Sequence, residues 1–228
     1  MCSGCGRRLN STTPNQTKLA ECDHEIETCL RLLNESRPEP ADPLPPVRHA
    51  PNRNEPAFDV RERLHRFIGA DLSQIRGIGP YTVLRLVAEC GDDMTKWPTV
   101  KHFTSWLTLA PGNKISGGKL RSSKTRRSSN RAATLLRIAA VNIGRTTTAL
   151  GAFYRRLAAR TGKAKAVTAT VRKLAVLFYN ALRFGPQYQD PGADYYEARH
   201  KQRVLHNLRR RAEHLGYSLV ETVEQGVS

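Results

Sequence analysis

Between Asp93 and Asp190 this 228-residue chain contains no aspartate or glutamate, while 19 lysines and arginines fall in the interval. A solvated surface ordinarily mixes its charges. One sign over so long a stretch repels itself, which costs folding stability unless an anion neutralises it, and a phosphate backbone is well suited to do so. Over the whole chain 37 Lys and Arg against 20 Asp and Glu leave a formal charge of +17. The expected partner is therefore DNA or another nucleic acid. A general basic scaffold, such as a ribosomal-type RNA binder, is the plain alternative.

No run approaches the roughly 18 apolar residues of a membrane span, and the amino terminus shows no signal-peptide core. The expected location is the cytoplasm, in association with the nucleoid, with no membrane partner. Five cysteines, Cys2, Cys5, Cys22, Cys29 and Cys90, form an odd set without a disulfide framework and are expected as reduced thiols. Cys2 and Cys5 make a C-x-x-C, but six residues separate Cys22 from Cys29, whereas common zinc modules use two to four. The residues thus assign no metal ligands.

The fold class is mainly α. Residues 1–16 are unassigned and expected to be disordered. Leu19, Cys22, Ile26, Cys29, Leu30 and Leu33 recur at steps of three and four, which predicts a short oligomerising or packing helix over 17–34. Seven of the 13 prolines fall between Pro38 and Pro56, so 35–57 reads as a linker. A helical domain spans 58–223, with breaks at Gly77 to Pro80, Pro111 to Gly118, Gly144, Gly162 and Gly185 to Gly192. Val167, Val171, Leu174, Phe178 and Leu182 form one expected core stripe, and Leu205, Leu208, Ala212 and Leu215 another.

LSQIRGIGPYTVLRLVAECGD, Leu72 to Asp92, has the pattern of a helix-hairpin-helix: an apolar helical turn, a Gly-Ile-Gly hairpin, then Pro80 opening a helix that buries Val83, Leu84, Val87 and Ala88. Gly77 and Gly79 would let the backbone turn tightly and approach a phosphate, met by the open amides of the next helix. Such a contact is independent of sequence. A plain helix-helix turn has the same local pattern.

PGNKISGGKLRSSKTRRSSNR, Pro111 to Arg131, reads as a loop by its glycine and serine content. Its Lys114, Lys119, Arg121, Lys124, Arg126, Arg127 and Arg131 are candidate DNA-binding residues. The stretch also offers the hydroxyls of Ser116, Ser122, Ser123, Ser128 and Ser129. A serine can attack a phosphodiester when cations stabilise the developing charge and a base takes its proton. Composition selects none of the five, and each can equally hydrogen-bond a phosphate or solvate the loop.

Taken in order, GIGPYTVLRLVAECGD, FTSWLTLAPGNKISGGK, SNRAATLLRIAA, GAFYRRLAARTGKAKAVTATVRKLA and LRRRAEHLGYSLV resemble the insertion-sequence 110/116/902 transposase family, understood as bridge-RNA-guided recombinases. The resemblance runs from about Val60 to Val223. It implies that 58–223 is the family's helical Tnp domain, in which the loop after a "GL-x-P" element carries a serine followed by glycine, the position of Ser116. That serine is implied to be catalytic, attacking DNA to form a phosphoserine intermediate that conserves bond energy for strand exchange. The basic element before the next helix falls on Arg126, Arg127 and Asn130, with Ser129 where the family commonly has glycine.

The family also implies an amino-terminal α/β nuclease-like domain, similar to Holliday-junction resolvases, whose D-E-D-D carboxylates hold Mg²⁺. No segment of this chain resembles it. The 17–34 helix resembles at most the tail of the helical hairpin that follows that domain, a coiled-coil remnant. The expectation is thus the serine-bearing, DNA-joining half of a transposase, inactive alone, with no cofactor of its own and Mg²⁺ belonging to the absent half. Its expected partners are DNA, a guide (bridge) RNA, and either further copies of itself or a full-length transposase. A second reading is a non-catalytic DNA- or RNA-binding remnant or modulator of an intact transposase. An upstream reading frame encoding the other half would favour the first.

Overall fold

The computed structural model describes residues 14–40, 42–46, 55–127, 129–185 and 191–220. Among them are eight α-helices and one two-stranded ribbon, the mainly helical fold expected. The chain divides into two compact units, residues 1–136 with 172–188 and residues 137–171 with 189–228.

In the first unit, α1 (Pro14–Glu35) packs on α2 (Val60–Ile68) by a polar edge. Glu27 pairs with Arg63 at 3.0 Å, Asn34 donates to the Arg63 carbonyl, and the Asp23 carboxylate accepts from the Ala57 amide. Of the six residues in the expected apolar stripe, only Leu30 is buried; Leu19, Cys22, Ile26, Cys29 and Leu33 are exposed. The described part of the proline-rich segment forms neither helix nor strand, as missing amide donors dictate. The Pro45 carbonyl accepts from Arg61, which holds this segment against α2.

A left-handed Gly69 ends α2, and a 3₁₀ turn over Leu72–Gln74 leads to α3 (Pro80–Cys90). Asp71 caps that turn and is buried beside Arg61, with 2.5 Å between carboxylate and guanidinium. A second 3₁₀ turn over Met94–Lys96 precedes α4 (Val100–Trp106), whose Phe103 packs among Trp97, Trp106, Phe178 and Tyr179. The last two residues belong to α7 (Lys163–Phe184). Tyr179 can be buried because its hydroxyl donates to the Trp97 carbonyl at 2.7 Å, and Arg183 donates to the carbonyls of Trp97 and Pro98. Val171, Leu174 and Phe178 are buried as the stripe predicts, while Val167 and Leu182 are half-buried.

The second unit contains most of α5 (Arg131–Ile143), α6 (Ala149–Thr161), the start of α7, and α8 (Gly192–His214). Thr148 caps α6 by accepting from the Gly151 amide. Glycine is required at 151, since an added Cβ would lie 2.3 Å from the Thr146 carbonyl oxygen. Helix α8 packs on α6 through its first turns, where Tyr196 meets Phe153 edge-on and Glu197 pairs with Arg156. Its later stripe differs from the expected core, for Leu205, Leu208 and Leu215 are all exposed.

Candidate nucleic-acid interface

The basic stretch expected as a loop folds into a β-hairpin. Strands β1 (Lys114–Ser116) and β2 (Lys119–Ser122) pair antiparallel, with Ile115 opposite Leu120 and Ser116 opposite Lys119. Gly117 and Gly118 form the connection, at φ 57° and 71°. Two successive positive φ values define the hairpin turn whose twist matches its strands, and glycine enters that region without steric cost. Gly-Gly between two short alternating segments was the available sequence signal, masked by the density of serine and charge around it. At the base of the ribbon the Gly112 amide donates to the Lys124 carbonyl at 3.1 Å, and Pro111 bridges to Thr125. The strands pack chiefly on each other, and nearly every side chain in the hairpin is exposed.

This arrangement sorts the predicted residues. Alternation places Ser116 and Lys119, directly across from each other, on one face of the ribbon and Ile115 and Leu120 on the opposite face, while a register shift beyond Ile115 sets Lys114 against Ser122. Arg121 lies on β2, and Lys124, Arg126 and Arg127 continue the exposed cationic run toward α5. Ser128 lies outside the described residues. Asn130 caps α5 by accepting from the Ala133 amide at 3.0 Å. Arg131, the first residue of α5, is 82% exposed and only 3.5 Å from Glu89 of α3, a weak surface pair that a phosphate can displace.

A second surface lies at the start of α3. Gly77 turns the chain at φ 88°, Ile78 is fully buried, and Gly79 caps the helix in an extended conformation with Pro80 at its first position. The apolar turn before this hairpin is 3₁₀ rather than α. The buried row of α3 is Val83, Leu86, Val87 and Cys90; Leu84 is half-buried and Ala88 exposed. A Cβ on Gly79 would meet nothing within 4 Å, so the fold itself does not require glycine there. Sequence reasoning passed over the exposed Tyr81 with the Arg85 guanidinium 5.7 Å from its ring centre, an aromatic-cation pair at spacing four whose signal was legible. Arg76, also exposed, precedes the turn.

Cys90 is no candidate nucleophile: burial, reinforced by neighbouring Glu89, pushes its thiol up to about 12. Cys22 and Cys29 are free thiols, and Cys2 and Cys5 lie outside the described residues. No group of three His, Cys, Asp or Glu side chains among the described residues could hold a metal. The surroundings of Ser116 are cationic, and residues 111–127 offer no carboxylate to the magnesium that the resemblance assigns to the nuclease-like domain. No helix among the described residues is long and apolar enough to cross a membrane.

Residues 69–155 match the model of the transposase IS116/IS110/IS902 family. The matched segment is similar to that family. It carries the Gly77 to Pro80 turn, the entire hairpin with Ser116, and the Arg126 to Arg131 approach to α5. No curated protein and no solved structure matches the chain.

Proposed function

We propose that the chain binds DNA through the hairpin and the start of α3, and that Ser116 is the nucleophile of a DNA transposition reaction. The observation carrying the proposal is the place of Ser116: at the tip of an exposed cationic hairpin, directly opposite Lys119, within the segment similar to the transposase family. The Ser116 Oγ would attack a backbone phosphorus, forming a P–O bond as the bond to one deoxyribose oxygen breaks. Lys114, Lys119 and Arg121 offset the charge on the non-bridging oxygens. The displaced oxygen takes a proton, and a hydroxyl from another strand later reverses the attack, restoring the serine. Residues 111–127 contain no carboxylate or histidine, so the base that takes the Ser116 proton comes from outside the hairpin.

In this reading the open amides at the α3 start contact a phosphate independently of sequence, and the missing Cβ of Gly79 leaves room for it. Magnesium-holding carboxylates, a guide RNA and assembly with further copies or a full-length transposase belong to the same proposal, all supplied from outside the described residues. The test supplies the nuclease-like domain of a full-length relative, its guide RNA and target DNA, and looks for a DNA-linked species on a denaturing gel. The species is expected with wild type and with Ser122→Ala, and absent with Ser116→Ala. An adduct surviving Ser116→Ala overturns the assignment. No adduct, with DNA binding intact, favours the non-catalytic remnant.

A further inference from the structure

The hairpin carries a feature that the chemistry of Ser116 leaves unused. Ile115 and Leu120 stand opposite each other on the face away from Ser116, 67% and 57% exposed. As a cross-strand pair they help the ribbon hold its register, but threonines would serve that purpose with similar strand propensity and no exposed apolar surface. Lys119 points to the other face, but the ribbon is only two strands wide, and with Lys114, Arg121 and Lys124 on it and no acidic side chain in 111–127 the surroundings of the aliphatic pair are positive throughout. Nucleic acid combines dense negative charge with flat apolar surface a few ångströms away. In an intact duplex that apolar surface is hidden by stacking, so aliphatic side chains reach it only where bases unstack.

We infer that the Ile115 and Leu120 face is a binding site for unstacked nucleobases, on the side of the ribbon opposite the one by which Ser116 and Lys119 engage the backbone. The inference rests on the DNA-binding reading above and adds a ligand to it. The aliphatic pair is one residue along each strand from Ser116 and Lys119, on the other side of the ribbon. Strand exchange requires bases to leave their partners next to the joint, and an apolar pair there lowers the free energy of the open state.

Two measurements test this on the full chain. Affinity is compared for a duplex and for the same duplex with a short unpaired bubble. Wild type should prefer the bubble by about tenfold, whereas Ile115→Thr with Leu120→Thr should bind both equally and keep the wild-type salt dependence on intact duplex. Independently of any variant, 2-aminopurine in the bubble should brighten when wild type binds. Equal affinity of wild type for the two DNAs, or a bubble preference that persists in the threonine variant, overturns the inference, as does an unchanged fluorescence. Failure of wild type to bind either DNA would instead remove the DNA-binding reading beneath it.

Discussion

Ser116 and Lys119 are paired across the hairpin and separated only by Gly117 and Gly118, both at positive φ. The position of the serine thus depends on backbone conformations that residues with a Cβ adopt at a cost. Gly117→Asn should preserve the hairpin, because Asn-Gly suits two positive φ values, whereas Gly117→Val should open it. Amide exchange at Ser116 and Lys119, the hydrogen-bonded pair that flanks the turn, reads the difference directly: slow in the first variant, fast in the second, with little change in global melting. Equal exchange in both would show that the turn does not govern the ribbon.

The salt dependence of DNA binding separates residues that contact phosphate from those that are merely basic. Each phosphate contact on duplex DNA contributes about 0.9 to the slope of log affinity against log salt. Replacing Lys124, Arg126 and Arg127 together by alanine should lower the slope by nearly three. Titrations by fluorescence anisotropy over a range of salt give the number, and an unchanged slope would place these three side chains away from the DNA.

Helix positions were legible where glycine and proline punctuate them: Pro80 opens α3 and Gly162 ends α6, whereas the end of α2 at Gly69 was not among the expected breaks. The seven candidate cations were legible as a stretch, but their hairpin geometry was not, since the pairing depends on two glycines whose φ no composition reveals. Orientation was the least legible property. The apolar stripe of α1 predicts burial, yet Glu27 and Asn34 find partners on Arg63, and the helix docks by that polar edge instead. The role proposed for Ser116 rests on the family resemblance, because the five serines of the stretch are chemically equivalent in the sequence.

Thr108 has a φ of 58°, between α4 and the hairpin. A β-branched side chain in that region is strained, and its hydroxyl hydrogen bond to the Leu107 carbonyl at 2.7 Å compensates only in part. Thr108→Gly should therefore stabilise the protein by about 1 kcal/mol, seen as a rise in the melting midpoint. A fall would mean that the hydroxyl contact outweighs the strain.

Gly77 and Gly79 are two residues apart but should respond oppositely. Gly77→Val forces a side chain to φ 88° and should destabilise the turn, whereas Gly79 is at φ −78° with open space where its Cβ would stand. Gly79→Val should melt like wild type yet bind every DNA sequence several-fold more weakly, because the valine occupies the approach to a phosphate. Circular dichroism with binding to unrelated duplexes checks both. Unchanged affinity would remove the α3 start from the interface.

Acid should weaken the first unit through Asp71. Burial raises the pKa of this carboxyl, but hydrogen bonds from Arg61, Ser73 and Gln74, with the Arg61 charge, outweigh it and hold the group below its usual 3.8. Because the folded value lies below the unfolded one, the stabilisation is complete above the unfolded value and is lost as pH falls through the folded one. Stability from this pair should be level from neutral pH to about 5 and decline below about 4. Asp71→Asn leaves Arg61 buried without its counter-charge and should cost about 3 kcal/mol at neutral pH. Urea melts of both proteins should then converge toward acid, since protonation takes from wild type what the substitution has already removed. A gap that stays constant with pH would show that the carboxylate charge is not what stabilises this corner of the fold.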